Sequence, residues 1–156
     1  MGIDIHAPAD LVFHLASDPR AWPDLLPHYV RAKPLSRAGQ QMLVEFVARR
    51  PLVPVLGLGM PVAWRSRTWA DPDRRELHFH HVGGATAGMD VTWRIESSGQ
   101  GSRVTIEHVF APRWAPWGKF VDSLFTRPIA ARTLRGFRSI AEAVALRDGG
   151  AGLHGE

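Results

Sequence analysis

The sequence predicts an α+β domain in which one curved antiparallel sheet of about seven strands wraps around a long C-terminal helix. Three observations predict it. Residues 129–147 place Ala130, Leu134, Phe137, Ala141 and Val144 at the i, i+4, i+7 spacing of a single apolar stripe, with Arg132, Arg135 and Arg138 largely off it. Period-two segments precede that helix, joined by connections short enough for antiparallel neighbours. Because the helix comes last, the natural burial partner for its stripe is one face of the sheet, and a sheet curved around a helix leaves a cavity between the two.

In chain order, residues 2–6 alternate Ile3 and Ile5 against polar neighbours as a short strand does. Pro8 suits the first position of a helix and Asp10 its first turn, with Leu11, Val12, Leu15 and Ala16 supplying the apolar face as far as Ser17. Asp18-Pro19 repeats the cap-then-proline start, and Pro23 and Pro27 restrict residues 21–26 to a turn or two carrying Trp22, Leu25 and Leu26. Strands follow over 29–35 and 41–49, with Gly39 between them, then over 62–70, 76–82, 89–96 and 103–110. Residues 51–61 read PLVPVLGLGMP, whose three prolines and two glycines predict an apolar loop at the rim of the cavity. A break at Pro128 is expected, with residues 117–125 a separate turn or short helix. One domain over 1–147 and a disordered glycine-rich tail over 148–156 complete the reading.

A chain of 156 residues that is 45% hydrophobic supports one domain with a real core. No cysteine is present, which excludes disulfide scaffolds, cysteine-zinc sites and thiol nucleophiles. Neither a signal peptide nor a membrane span is visible, so a cytoplasmic protein is expected. The charge of +4 comes from 17 Arg and 2 Lys spread along the chain, a pattern of solvated charge that argues against a nucleic-acid partner.

Several stretches carry a family likeness. They are Ala7-Pro8 followed by Leu11-Val12-Phe13; residues 17–23 (SDPRAWP) leading to Tyr29; Trp64-x-Ser66 with Asp71 beyond it; Gly88-Met89 four residues before Trp93; and His108-Val109-Phe110. Through them the chain resembles the START-like helix-grip (SRPBCC) superfamily. The likeness is to its polyketide cyclase/dehydrase group, which includes tetracenomycin-type aromatase/cyclases and coenzyme Q-binding proteins. The resemblance implies a small hydrophobic ligand, whether lipid, isoprenoid, quinone or aromatic polyketide, held between sheet and helix with no cofactor, and it leaves a homodimer open. In the cyclases an Arg two residues beyond the Ser faces the cavity and acts with a Tyr on an early strand; here Tyr29 matches the Tyr, but Thr68 stands at the Arg position. Arg67 should point to the other face.

Alternation places Val62, Trp64, Ser66 and Thr68 inward, with Met89, Val91, Trp93 and Ile95, and with Val104, Ile106, His108 and Phe110. The expected ligand-binding residues are Trp22, Trp64, Thr68, Met89, Trp93, Phe110 and Phe137; the expected catalytic ones are Tyr29, Ser66 and His108, with Tyr29 at the cavity mouth. The same aromatics could equally fill a core. His78-Phe79-His80-His81 would offer a metal pair only if a third ligand converged on it, and no matching spacing occurs, so no metal is expected. Two functions remain: a binding or carrier module for an apolar ligand, and a cofactor-independent cyclase/dehydratase in which Tyr29, Ser66 and His108 orient a poly-β-ketone.

Overall fold

Seven antiparallel strands form one sheet: β1 (Gly2–Ile5), β2 (Tyr29–Ala38), β3 (Gln41–Val53), β4 (Leu58–Asp71), β5 (Glu76–Gly84), β6 (Met89–Ser98) and β7 (Gly101–Phe110). Their spatial order is β1-β7-β6-β5-β4-β3-β2. The computed structural model describes residues 1–53, 58–84, 86–110 and 126–151. Between β1 and β2 the chain forms α1 (Ala9–Ser17), a 3₁₀ turn (Pro19–Ala21) and α2 (Trp22–Leu25), and it ends in α3 (Arg127–Ala151). This is the helix-grip α+β architecture, with α3 held by the curved sheet.

The alternation read from the sequence sets the two faces of the sheet. Val44, Phe46 and Ala48 of β3, Val62, Ser66 and Thr68 of β4, and Met89, Val91, Trp93 and Ile95 of β6 are buried. Arg65 and Arg67 are exposed. On the outer face the arginines pair across strands: Arg31 and Arg65 with Glu45, Arg94 with Glu76 and Glu107, and Arg103 with Asp4. These solvated pairs contribute little to stability individually. They keep the outer face charged, so the apolar face is the one that closes on α3.

Three expectations from the sequence are corrected. Residues 51–53 and 58–61 are strand rather than loop, while 54–57 lie outside the described residues. The prolines are tolerated because the β2 ladder on β3 ends at Tyr29↔Ala48 and the β5 ladder on β4 ends at Trp64↔Gly84. Beyond those points β3 and β4 pair only with each other, so the missing N–H of Pro51 or Pro61 falls on a free strand edge. Pro128 lies inside α3 rather than ahead of it, standing second in the helix, where its ring-fixed φ is tolerated. At its other end α3 continues past Arg147 through Gly149 to Ala151, into the stretch expected to be disordered, while 152–156 lie outside the described residues. The turn or helix expected over 117–125 also lies outside them. Among the described residues no helix is long and apolar enough to cross a membrane.

The segment before β2 folds so as to aim Trp22 inward. Asp18 Oδ1 accepts from the backbone N–H of Arg20 at 3.0 Å, and Pro19 begins the 3₁₀ turn with its ring-fixed φ. Leu26 N–H then closes on Trp22 O at 2.7 Å. Leu26 is fully buried, and α3 approaches it at Gly136, where an added Cβ would stand 2.5 Å from Leu26 Cδ2.

Gly136→Ala therefore sets two effects against each other. Helix propensity favours Ala by up to about 1 kcal/mol, whereas overpacking a closed contact costs about 1–3 kcal/mol. Because Leu26 is fully buried and would have to repack to clear the new methyl, the expected net result is destabilisation by about 1 kcal/mol, read as a lower midpoint in urea unfolding. A raised midpoint would show that Leu26 can move aside.

Candidate functional site

Between the sheet and α3 lies a cavity of about 70 Å³, several times the roughly 10–15 Å³ needed by one water. Trp22, Phe46, Trp64, Phe79 and Trp93 supply its aromatic walls, Met89 and Val91 come from β6, and Ile129, Ala130 and Thr133 of α3 cover it. Two groups of polar side chains interrupt this apolar lining. Among the described lining residues none is Asp, Glu, Lys or Arg.

The first group joins β2 to α3. Tyr29 is buried beside Trp22, its ring edge-on at 5.1 Å, and its hydroxyl lies 3.4 Å from Thr133 Oγ1. Thr133 Oγ1 is also 2.9 Å from Ile129 O, one turn back on α3, and 2.9 Å from Nε2 of the buried His28. A hydroxyl has one proton to give; that of Thr133 is shared between Ile129 O and the Tyr29 hydroxyl, which leaves His28 Nε2–H to donate to Thr133. Burial, with Arg132 and Arg135 nearby, pushes the His28 imidazole down to about 4 and so keeps it neutral. Burial raises the Tyr29 phenol above its ordinary value, and the Thr133 hydrogen bond opposes that rise.

The second group lies at the β5–β6 turn. His81 is buried, its ring nearly parallel to that of Trp64 at 6.0 Å, and its Nδ1 is 2.6 Å from Oγ1 of the buried Thr86. The turn that brings Thr86 inward is closed by Gly88 N–H on His81 O at 2.8 Å and Met89 N–H on Thr86 O at 3.2 Å. It needs glycine at Gly84 and Gly88, whose φ values are 87° and 85°. Burial, then the neighbouring His108 and His80, push His81 down to about 3. His108 lines the same cavity.

Of the residues singled out from the sequence, Trp22, Tyr29, Trp64, Met89, Trp93 and His108 meet at this cavity. Four do not line it. Ser66 is buried with its hydroxyl turned to Arg67 O at 3.3 Å. Thr68 donates to Met42 O at 3.3 Å and faces a separate cleft of about 330 Å³ shared with Arg20, Arg37 and Gln40. Phe137 sits one turn of α3 beyond Thr133, packed on Trp22 and Trp93 behind the wall, and Phe110 is half-buried at the end of β7. The expected mouth position of Tyr29 is corrected too, since Tyr29 is enclosed by Trp22, His28, Phe46 and Trp64.

His28, His81, Thr86 and Thr133 are additions to the site. Thr133 could have been found as the hydroxyl on the apolar stripe, and His81 by extending the inward parity of Leu77 and Phe79. His78 and His80, the outward pair, contact Glu76 Oε2 at 3.3 Å and Asp90 Oδ1 at 2.6 Å.

A family model described as polyketide cyclase / dehydrase and lipid transport matches residues 5–135. No curated protein matches the sequence. Among solved structures, the chain is similar to TTHA0849 from Thermus thermophilus, with a TM-score of 0.67, 22% identity, and 93% of this chain and 97% of that one covered. The Zhui aromatase/cyclase from a Streptomyces species gives 0.67 at 18% identity, with 91% of each chain covered. A START superfamily protein from Mycobacterium smegmatis gives 0.60 at 15% identity, covering 92% and 96%. At these identities the likeness is one of fold.

Tyr29 is the sole tyrosine in the sequence, so the ultraviolet absorbance of tyrosinate reports on it alone. Ionisation is expected only above the ordinary value of about 10 while the protein stays folded, and later still in Thr133→Val, which loses the opposing hydrogen bond. A transition near 10 in the folded protein would contradict the burial assigned to Tyr29.

The two histidines also set an acid limit. Both have folded values below the unfolded 6.5, so the unfolded chain binds protons that the folded one refuses. Their contribution to stability is complete above about 6.5 and is lost as pH falls toward about 4 for His28 and about 3 for His81. Urea midpoints should fall between pH 7 and pH 4, and less steeply in His28→Gln; equal slopes would remove His28 from this linkage.

Proposed function

The chain belongs to the polyketide cyclase / dehydrase and lipid transport family, and on that premise we propose that it binds a small, uncharged hydrophobic ligand between the sheet and α3. The observation that carries this reading is the cavity itself, walled by Trp22, Phe46, Trp64, Phe79 and Trp93 and interrupted by only a few polar side chains. Aromatic walls supply contact area, and a few hydrogen-bonding groups fix orientation. An ionised headgroup would have to shed its hydration at a site where no described lining residue carries a countercharge. The ligand therefore buries a neutral part here, a lipid, isoprenoid, quinone or aromatic polyketide all being of suitable character.

A second reading, cofactor-independent cyclisation and dehydration of a poly-β-ketone, is favoured by Tyr29 and His108 lining one cavity. There Tyr29 would donate to a substrate oxygen and His108 would move a proton. Ser66 drops out of this scheme because its hydroxyl is turned to the backbone, and exposed Arg67 supplies no cation to an enolate. Binding without assured chemistry is thus the better supported of the two.

Native mass spectrometry of freshly purified protein, before and after organic extraction, tests the binding reading. A hydrophobic compound of defined mass should be retained, then released on extraction. Ala130→Leu, which extends a side chain from α3 into the cavity, should lose that mass while remaining folded, and Arg67→Ala on the outer face should keep it. Equal retention in Ala130→Leu would place the ligand elsewhere.

A further inference from the structure

We infer that His81 is a neutral hydrogen-bond donor to the ligand, its Nε2–H offered to a carbonyl oxygen inside the cavity and its tautomer fixed by Thr86. The inference rests on the binding reading and deepens it, because it selects ketone-bearing or quinone-bearing ligands over hydrocarbons of the same shape.

Proton accounting carries it. Thr86 is buried, and the one polar partner of its hydroxyl among the described residues is His81 Nδ1 at 2.6 Å. If Nδ1 carried the proton and donated it to Thr86, the threonine's own buried proton would need a second acceptor, and none is found among those residues. With Thr86 donating to Nδ1 instead, one bond satisfies both groups and the ring proton resides on Nε2.

Geometry then directs that proton. The Trp64 ring, inclined by 18° to the imidazole, fixes its plane, and the backbone bonds of the turn hold Thr86 against it. The side-chain bond of His81 among the described residues is made through Nδ1, not Nε2. The open space lined by the ring is the cavity. A neutral donor in such a place polarises a carbonyl without the desolvation cost of a buried cation. The strong bias of this imidazole against protonation keeps the same state across the physiological range. His108, and His80 on the opposite face of β5, add to that bias electrostatically.

Acetophenone and ethylbenzene, alike in shape but differing in one carbonyl, provide the test, with affinities measured by tryptophan fluorescence and ring tautomers by nitrogen-15 NMR of histidine-labelled protein. The wild type should bind acetophenone about 3- to 10-fold more tightly than ethylbenzene, the span expected of one net hydrogen bond. His81 should show a protonated Nε2 whose resonance moves when acetophenone is added. His81→Phe should lose the preference between the two probes. Thr86→Val should lower the preference and give a mixed tautomer, a change that a merely structural threonine would not produce. Equal affinity for the two probes in the wild type, or a proton on Nδ1, overturns the donor role while leaving the binding reading intact. Binding of neither probe overturns the binding reading and this inference with it.

Discussion

The structure depends on the insertion of one indole. Trp22 is almost wholly buried at 3% exposure, with the rings of Tyr29, Phe46, Phe79, Trp93 and Phe137 centred 5.1–5.7 Å from its own. These neighbours come from β2, β3, β5, β6 and α3, so a single side chain ties the sheet to the helix. Its Nε1–H donates to Ala16 O at 3.1 Å, satisfying a carbonyl in the last turn of α1 that has no intrahelical partner. Each aromatic pair adds about 0.5–1.5 kcal/mol beyond area burial, and removing such a side chain costs about 3–5 kcal/mol. The same ring forms part of the cavity wall, so the interaction that closes the core also limits the space left beside it.

That coupling explains the chemistry of the lining. A cavity backed by a packed aromatic cluster offers polar groups few partners, so a neutral group is favoured there over a charged one. Tyr29 and His28 share Thr133, and His81 takes Thr86. The two threonines therefore do similar work at opposite parts of the site: each uses one hydroxyl to hold an uncharged ring in a defined orientation. A charged ligand would break this pattern, whereas a neutral one with a few acceptor atoms completes it.

Much of the fold was legible because period-two alternation and the stripe of α3 encode burial directly. Trp64, Met89, Trp93 and His108 were placed at the cavity by parity together with the family likeness. Parity gives the face of a strand and not the depth along it. Ser66 and Thr68 are inward, as alternation requires, but Thr68 lies on the cross-strand row Met42–Thr68–Phe79, toward the α1 end and beyond the cavity. Thr86 was hidden because nothing in a glycine-rich turn distinguishes a hydroxyl turned inward from one in water. His28 carries no pattern of its own, and its role needs Thr133, 105 residues away, which no local pattern supplies. Pro51 and Pro61 misled for a related reason: proline opposes a central strand, and whether a strand has a free edge is set by where its neighbours stop.

The central claim is that the sheet and α3 enclose a dry apolar cavity beside Trp22. A crystal pressurised with xenon tests it most directly, because xenon occupies apolar space that water leaves empty. The account expects a single strong xenon site bounded by Trp22, Met89, Trp93 and Ala130, with Tyr29 and Thr133 unmoved. Side chains collapsed into that space, or a chain of ordered water running through it, would contradict the claim.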